Sequence, residues 1–210
     1  MGFHKVLVNP PTHALSPVIP PNAWHLCLTA AAGTELAEPD SGSTVKIFLF
    51  GIDRAGKTTL SRTIKEEKDV KTRPTLSFDI SKWIIKDLEF AVWDAPGQKR
   101  FRDVWSKGFD KAQVLLFVLD TADPERFEEA KTEFYTVINN PDTQGVPLIF
   151  CFHKIDLPHA KENVAKAREL FKLPLITNRQ VFPFESTVNS TLGIDPIKDK
   201  LVELIQSARW

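Results

Sequence analysis

The chain has 210 residues, with 27 Lys plus Arg against 27 Asp plus Glu, and this balance leaves no global field to hold nucleic acid or an anionic bilayer. Its 42% apolar and 26% charged content suits one well-buried α/β domain with an extension. No apolar run approaches the ~18 residues of a membrane span, no signal-peptide core opens the sequence, and Cys27 and Cys151 lie far apart, so a cytoplasmic protein with reduced thiols is expected.

Residues 1–44 read as an arm or linker. Five prolines between Asn9 and Pro21 remove backbone donors and favour extended chain. A short helix is expected between Ala23 and Glu38, with Trp24, Leu28 and Leu36 on one stripe and Gly33 interrupting it. A buried strand, Val45 to Phe50, then leads into Gly51-Ile52-Asp53-Arg54-Ala55-Gly56-Lys57-Thr58, a full match to the P-loop pattern G-x-x-x-x-G-K-S/T. Backbone N–H groups from Asp53 through Thr59 and the positive end of the following helix make such a loop a cradle for phosphate. Lys57 would reach the outer phosphates, and the Thr58 hydroxyl would ligate Mg²⁺.

Further along, Thr75 lies in a polar loop eighteen residues after Lys57 and would bring a second hydroxyl to the metal, as sensor of the γ-phosphate. The strand Leu88 to Trp93 delivers Asp94 to a strand end, where a carboxylate can hold Mg²⁺. Gly97, with no side chain, would offer its N–H to the γ-phosphate, and Gln98 would adjoin an attacking water. Val114 to Leu119 and Val146 to Phe152 are short apolar runs typical of central parallel strands. Between them Asp123 as N-cap and Pro124 would open a helix carrying Phe127, Ala130, Phe134, Val137 and Ile138 inward. Asp156, just past the second run, can accept from both N1–H and the exocyclic amine of guanine, a donor pair that adenine lacks. A last helix would cover the sheet with Ile194, Ile197, Leu201, Leu204 and Ile205. Such alternation predicts a doubly wound sheet with its ligand at the carboxyl edge of the strands.

From Val45 to Gln206 the chain resembles the small GTPases, and among them the Arf branch. Gly51 to Thr59 is similar to the Arf-type loop G-L-D-x-A-G-K-T-T; Pro74-Thr75 with Phe78 resembles switch I; Trp93-Asp94 with Gly97-Gln98 resembles switch II; Lys154-Ile155-Asp156-Leu157-Pro158 resembles the base-reading N-K-x-D-L-P. The resemblance implies a P-loop NTPase fold over 45–210, with a six-stranded, mostly parallel sheet and helices on both faces. It implies GTP/GDP and Mg²⁺ as cofactors, slow GTP hydrolysis involving Gln98, Lys57 and Thr75, and a metal held by Thr58, Thr75 and Asp94. It also implies an exchange factor, a GTPase-activating protein and effectors as partners, in membrane traffic or signalling. Lys154 would lie along the purine, and Thr187 and Val188 would stand in for the last base-contacting loop.

Three positions depart from the pattern. His153 replaces the usual Asn, as in the H-K-x-D variant of Rag-type GTPases; Pro96 precedes Gly97 where Gly or Ala is usual; and of the three effector-patch aromatics of Arf proteins, Phe78 and Trp93 match while the third position is Gly108. His153 and Pro96 motivate an alternative function, a nucleotide-locked scaffold with negligible turnover. A P-loop kinase or ATPase fits less well, for lack of an arginine-rich lid. Arg73, two residues before Thr75, reads as a solvated loop charge, with an arginine finger supplied in cis as the sharper alternative. Gly2 invites myristoylation, but position six is Val6 and no polybasic cluster adds a second anchor, so peripheral membrane contact is an unsupported possibility. The arm is expected to fold back on the domain in one nucleotide state.

Overall fold

A computed structural model describes residues 44–66, 73, 75–190 and 192–207. The Pro-rich extension, its expected short helix and the arm's docking therefore lie outside the described residues. The strands are β1 (Val45–Phe50), β2 (Asp79–Ile85), β3 (Leu88–Asp94), β4 (Val114–Asp120), β5 (Leu148–His153) and β6 (Val181–Ser186). The helices are α1 (Lys57–Ile64), α2 (Trp105–Phe109), α3 (Phe127–Ile138), α4 (Ala160–Phe171) and α5 (Ile194–Ser207). The strands form one sheet in the order β2-β3-β1-β4-β5-β6, parallel throughout except for β2, which turns back antiparallel on β3.

The apolar runs of β1, β4 and β5 are buried because both faces of the sheet are covered. The period-2 alternation of each strand sorts its side chains between two layers. Phe48, Phe50, Phe117, Phe150 and Phe152 all point to the side of α2, α3 and α4, where they meet Phe134 and Phe171. Ile47, Leu49, Leu116, Val118, Ile149 and Cys151 point the other way, onto α1 and α5. One layer is thus a network of rings, with centroids such as Phe117 and Phe134 4.9 Å apart, and the other is largely aliphatic.

Two helices differ from expectation, one at its start and one in the face it buries. A 3-10 turn, Pro124–Arg126, precedes α3, and the Asp123 side chain makes no capping bond. Fixed φ at Pro124 starts the turn, and Arg126 N–H is accepted by the Asp123 backbone carbonyl at 3.3 Å, while upstream the Asp120 side chain accepts from Ala122 N–H at 3.0 Å. On α5, Val202 joins Ile194, Ile197, Leu201 and Leu204 in the core, and Ile205 is only partly buried. The chain leaves β1 toward β3 on one side and, later, toward β4 on the other. The crevice between them, at the carboxyl ends of the strands, is the switch point where such folds bind ligands.

Candidate functional site

A cleft of about 430 Å³ opens at that point, lined by Asp53, Arg54, Gly56, Lys57, Thr58, Thr59, Arg73, Thr75, Gly97, Gln98 and Lys154. Its floor is the loop between β1 and α1. The Lys57 ammonium is buried and donates to the carbonyls of Gly51 and Ile52 at 2.9 and 3.0 Å, which folds the loop around it. Burial pushes the Lys57 pKa down to about 8, although the Asp94 and Asp53 carboxylates pull it upward. A cation stripped of water in this way favours a polyanion beside it.

The three expected metal ligands meet. Thr58 Oγ1 donates to Asp94 Oδ2 at 2.5 Å and lies 3.2 Å from Thr75 Oγ1. Asp94 is 1% exposed, burial raises its pKa to about 6, and its Oδ1 has no hydrogen-bond partner. A buried, unpaired carboxylate oxygen beside two hydroxyls is a hard-oxygen set that suits Mg²⁺. No group of three His, Cys, Asp or Glu residues able to hold a metal occurs among the described residues.

Gly97 is tied to the loop. Its carbonyl accepts from Asp53 N–H at 3.0 Å and from Arg102 Nε at 2.8 Å, and a Cβ there would fall 2.5 Å from Asp53 N. Pro96 is buried, and its carbonyl accepts from the Trp105 indole at 2.8 Å. Gln98 lines the cleft, with Oε1 3.3 Å from Arg100 Nε. Arg73 and Arg54 are exposed at the cleft.

On the base side, register brings Asp120, His153 and Ser186 side by side at the ends of β4, β5 and β6. His153 is 1% exposed, with Nδ1 2.8 Å from Ser186 Oγ, and that hydroxyl also lies 2.7 Å from Cys151 Sγ. Burial, then the Lys154 charge, lowers the His153 pKa to about 4, so the ring is neutral at pH 7. Gly56, at φ 96°, lies against the same ring: a Cβ there would fall 2.6 Å from His153 Cδ2. His153 therefore joins the base-side strand to the P-loop by packing. Lys154 adds a second link, donating to the Arg54 carbonyl at 2.7 Å and to Asp120 Oδ2 at 2.6 Å.

Asp156 is exposed beyond the lined cleft, and its pKa is lowered by hydrogen bonds from Thr187 and Asn189, the latter at 2.5 Å. Thr187 is buried and accepts from Asn189 N–H at 3.1 Å. Neither Thr187 nor Val188 lines the cleft. Sequence reasoning missed Asp120, a group around Arg102 and the bonds of Ser186 to His153 and Cys151, having placed Ser186 only within the loop offered as the last base contact. Asp120 carried a usable signal, a carboxylate ending an apolar strand. Ser186 and Arg102 carried none, because their roles depend on register and on packing against distant elements.

Fold and cleft define a P-loop nucleotide-binding protein of the small GTPase type. The family model of the ADP-ribosylation factors (Arf) matches residues 36–205. The chain belongs to the ADP-ribosylation factor family of GTP-binding switch proteins, which are in general GTP hydrolases. It is also similar in fold to the Arl6 (BBS3) small GTPase of Trypanosoma brucei, solved with the nucleotide analogue GppNp, at TM-score 0.71 and 24% identity over 79% of this chain and 100% of that one.

Proposed function

We propose that the chain is a Mg²⁺-dependent switch that binds GTP, hydrolyses it slowly and presents a different surface to effectors in each nucleotide state, in membrane traffic or signalling. An exchange factor and a GTPase-activating protein would set its timing, and the cytoplasm or a membrane surface facing it would be its setting. The observation that carries this reading is the meeting of Thr58, Thr75 and Asp94 beside the buried Lys57. Mg²⁺ bound there would neutralise charge on the outer phosphates. Lys57 and the loop N–H groups bind the phosphate chain. Thr75 makes the metal site depend on a loop that the γ-phosphate orders. Gln98 orients the attacking water, and Asp156 selects guanine. Chromatography of nucleotide released from the denatured protein, followed by calorimetry with GTP and ATP in Mg²⁺, tests this reading; equal affinity for the two, or none, would reject it.

One set of contacts favours the second reading, a nucleotide-locked scaffold. The turn after β3 is pinned in succession: Ala95 N–H to the Leu49 carbonyl at 2.9 Å, the Pro96 carbonyl to Trp105 and the Gly97 carbonyl to Asp53 and Arg102. Phosphate release at saturating GTP, with and without a GTPase-activating protein, separates the two readings. The switch is accelerated, whereas the scaffold stays silent in both assays.

A further inference from the structure

Arg102 is 6% exposed and sits where three parts of the chain meet. Its Nε donates to the Gly97 carbonyl at 2.8 Å, Nη1 to Glu133 at 2.9 Å and Nη2 to Glu129 at 2.6 Å, and Nη2 lies 3.5 Å from Asp53 Oδ1. The guanidinium fork thus ties the turn after β3 to α3 and adjoins the P-loop. Arg126 is a different kind of link. It joins Asp53 Oδ1, at 2.8 Å, to Glu129 Oε2, at 2.9 Å, and its hydrogen bonds go to Asp53 and Glu129 rather than to Gly97. Burial works against the Asp53 charge, yet the Arg126 hydrogen bond and the two guanidinium charges hold its pKa below the ordinary carboxylate range.

We propose that Arg102 is a positioning residue, a clasp that closes when Gly97 lies against the P-loop and so couples the triphosphate state to α3. The proposal rests on the GTP-switch reading. Because C=O and N–H point opposite ways across a trans peptide, fixing the Gly97 carbonyl from two sides sets the direction of Gln98 N–H and the starting point of its side chain. Withdrawing Gly97 would leave a buried guanidinium one acceptor short, a costly change for a desolvated cation. A γ-phosphate that draws Gly97 inward closes the clasp, and by reciprocity the closed clasp raises affinity for the triphosphate over the diphosphate. The Glu129 and Glu133 edge of α3 then senses the nucleotide state, while Arg126 holds Asp53 in either state.

The test measures dissociation of fluorescent GDP and of a fluorescent non-hydrolysable GTP analogue from the full chain, in Mg²⁺. For Arg102→Met, affinity for the analogue should fall about tenfold while that for GDP changes less than about twofold. Glu133→Gln should shift the ratio the same way by less, and Arg126→Met should weaken both nucleotides alike. Equal losses for both nucleotides in Arg102→Met, or no loss, overturn the clasp. If Arg102→Met does not fold, the ratio in Glu133→Gln decides alone, and an unchanged ratio overturns it. A parent chain that binds neither nucleotide overturns the GTP reading itself, and the clasp with it.

Discussion

The ring of Phe78 occupies the space that a side chain at position 108 would need: a Cβ on Gly108 would lie 2.5 Å from Phe78 Cε1 and 2.6 Å from Phe48 Cε2. Phe48 is fully buried and cannot retreat, so Phe78, which packs on Trp93 with centroids 5.5 Å apart, must give way. Gly108→Ala is therefore expected to destabilise the fold by about 1–3 kcal/mol in urea unfolding, overpacking outweighing the ~1 kcal/mol helix preference for Ala. Combining it with Phe78→Leu should recover part of the loss. A neutral or stabilising Gly108→Ala would contradict this packing.

Asp94→Asn keeps the size of the side chain and removes its charge. Chelating Mg²⁺ with EDTA should speed GDP release from the parent, whereas the variant should release GDP fast at the outset and respond little to EDTA. An Asp94→Asn protein as sensitive to EDTA as the parent would remove Asp94 from the metal site.

Asp156→Asn replaces an acceptor of two hydrogen bonds with a group that turns a donor toward one guanine donor. GTP affinity by calorimetry should fall by about 100-fold or more, with the melting temperature of the free chain little changed because Asp156 is exposed. Retained affinity would place base reading elsewhere.

Arg73 lines the cleft but is exposed, and among the described residues nothing holds its guanidinium. A finger worth ~10³ or more must be preorganised, so Arg73→Ala should slow single-turnover hydrolysis by less than about tenfold. A thousandfold loss would instead assign it the finger role.

His153 titrates near 4 when folded and near the ordinary 6.5 when unfolded. Its pKa is depressed on folding, so the unfolded chain binds the extra proton and stability falls as pH drops through 6.5, levelling off below 4. Between pH 7 and pH 5 this group should cost about 2 kcal/mol of unfolding free energy. His153→Asn should lose less stability than the parent over that interval; identical pH profiles would show that the ring is not buried neutral.

Much of the framework could be read from spacing. Unbroken apolar runs at β1, β4 and β5 announced buried parallel strands because a central strand has no solvated face. Of the residues brought to the phosphate end, Lys57 and Thr58 were visible because the P-loop pattern places them at the start of the helix after β1, Asp94 because it ends an apolar strand, and Thr75 because it lies on the polar loop before β2. Arg102 was not, since nothing in Lys99-Arg100-Phe101-Arg102 distinguishes the buried guanidinium from its exposed neighbours. The Asp120, His153 and Ser186 row was hidden for a related reason, because strand register exists only after the sheet has formed. Asp123 misled because the chain enters α3 through a tight 3-10 turn in which Arg126 N–H is taken by the Asp123 backbone carbonyl, at 3.3 Å, and not by its side chain.

Cys151 lies wholly inside the aliphatic layer, and burial pushes its thiol up to about 12 despite the nearby Ser186 hydroxyl. Such sulfur is almost never a thiolate while its surroundings hold. With Cys27 replaced by serine, the rate of maleimide labelling becomes a clock for opening of the α1 and α5 side of the sheet. Ligands that tighten the domain can then be ranked by how far they delay the label, without engineering a reporter into the core.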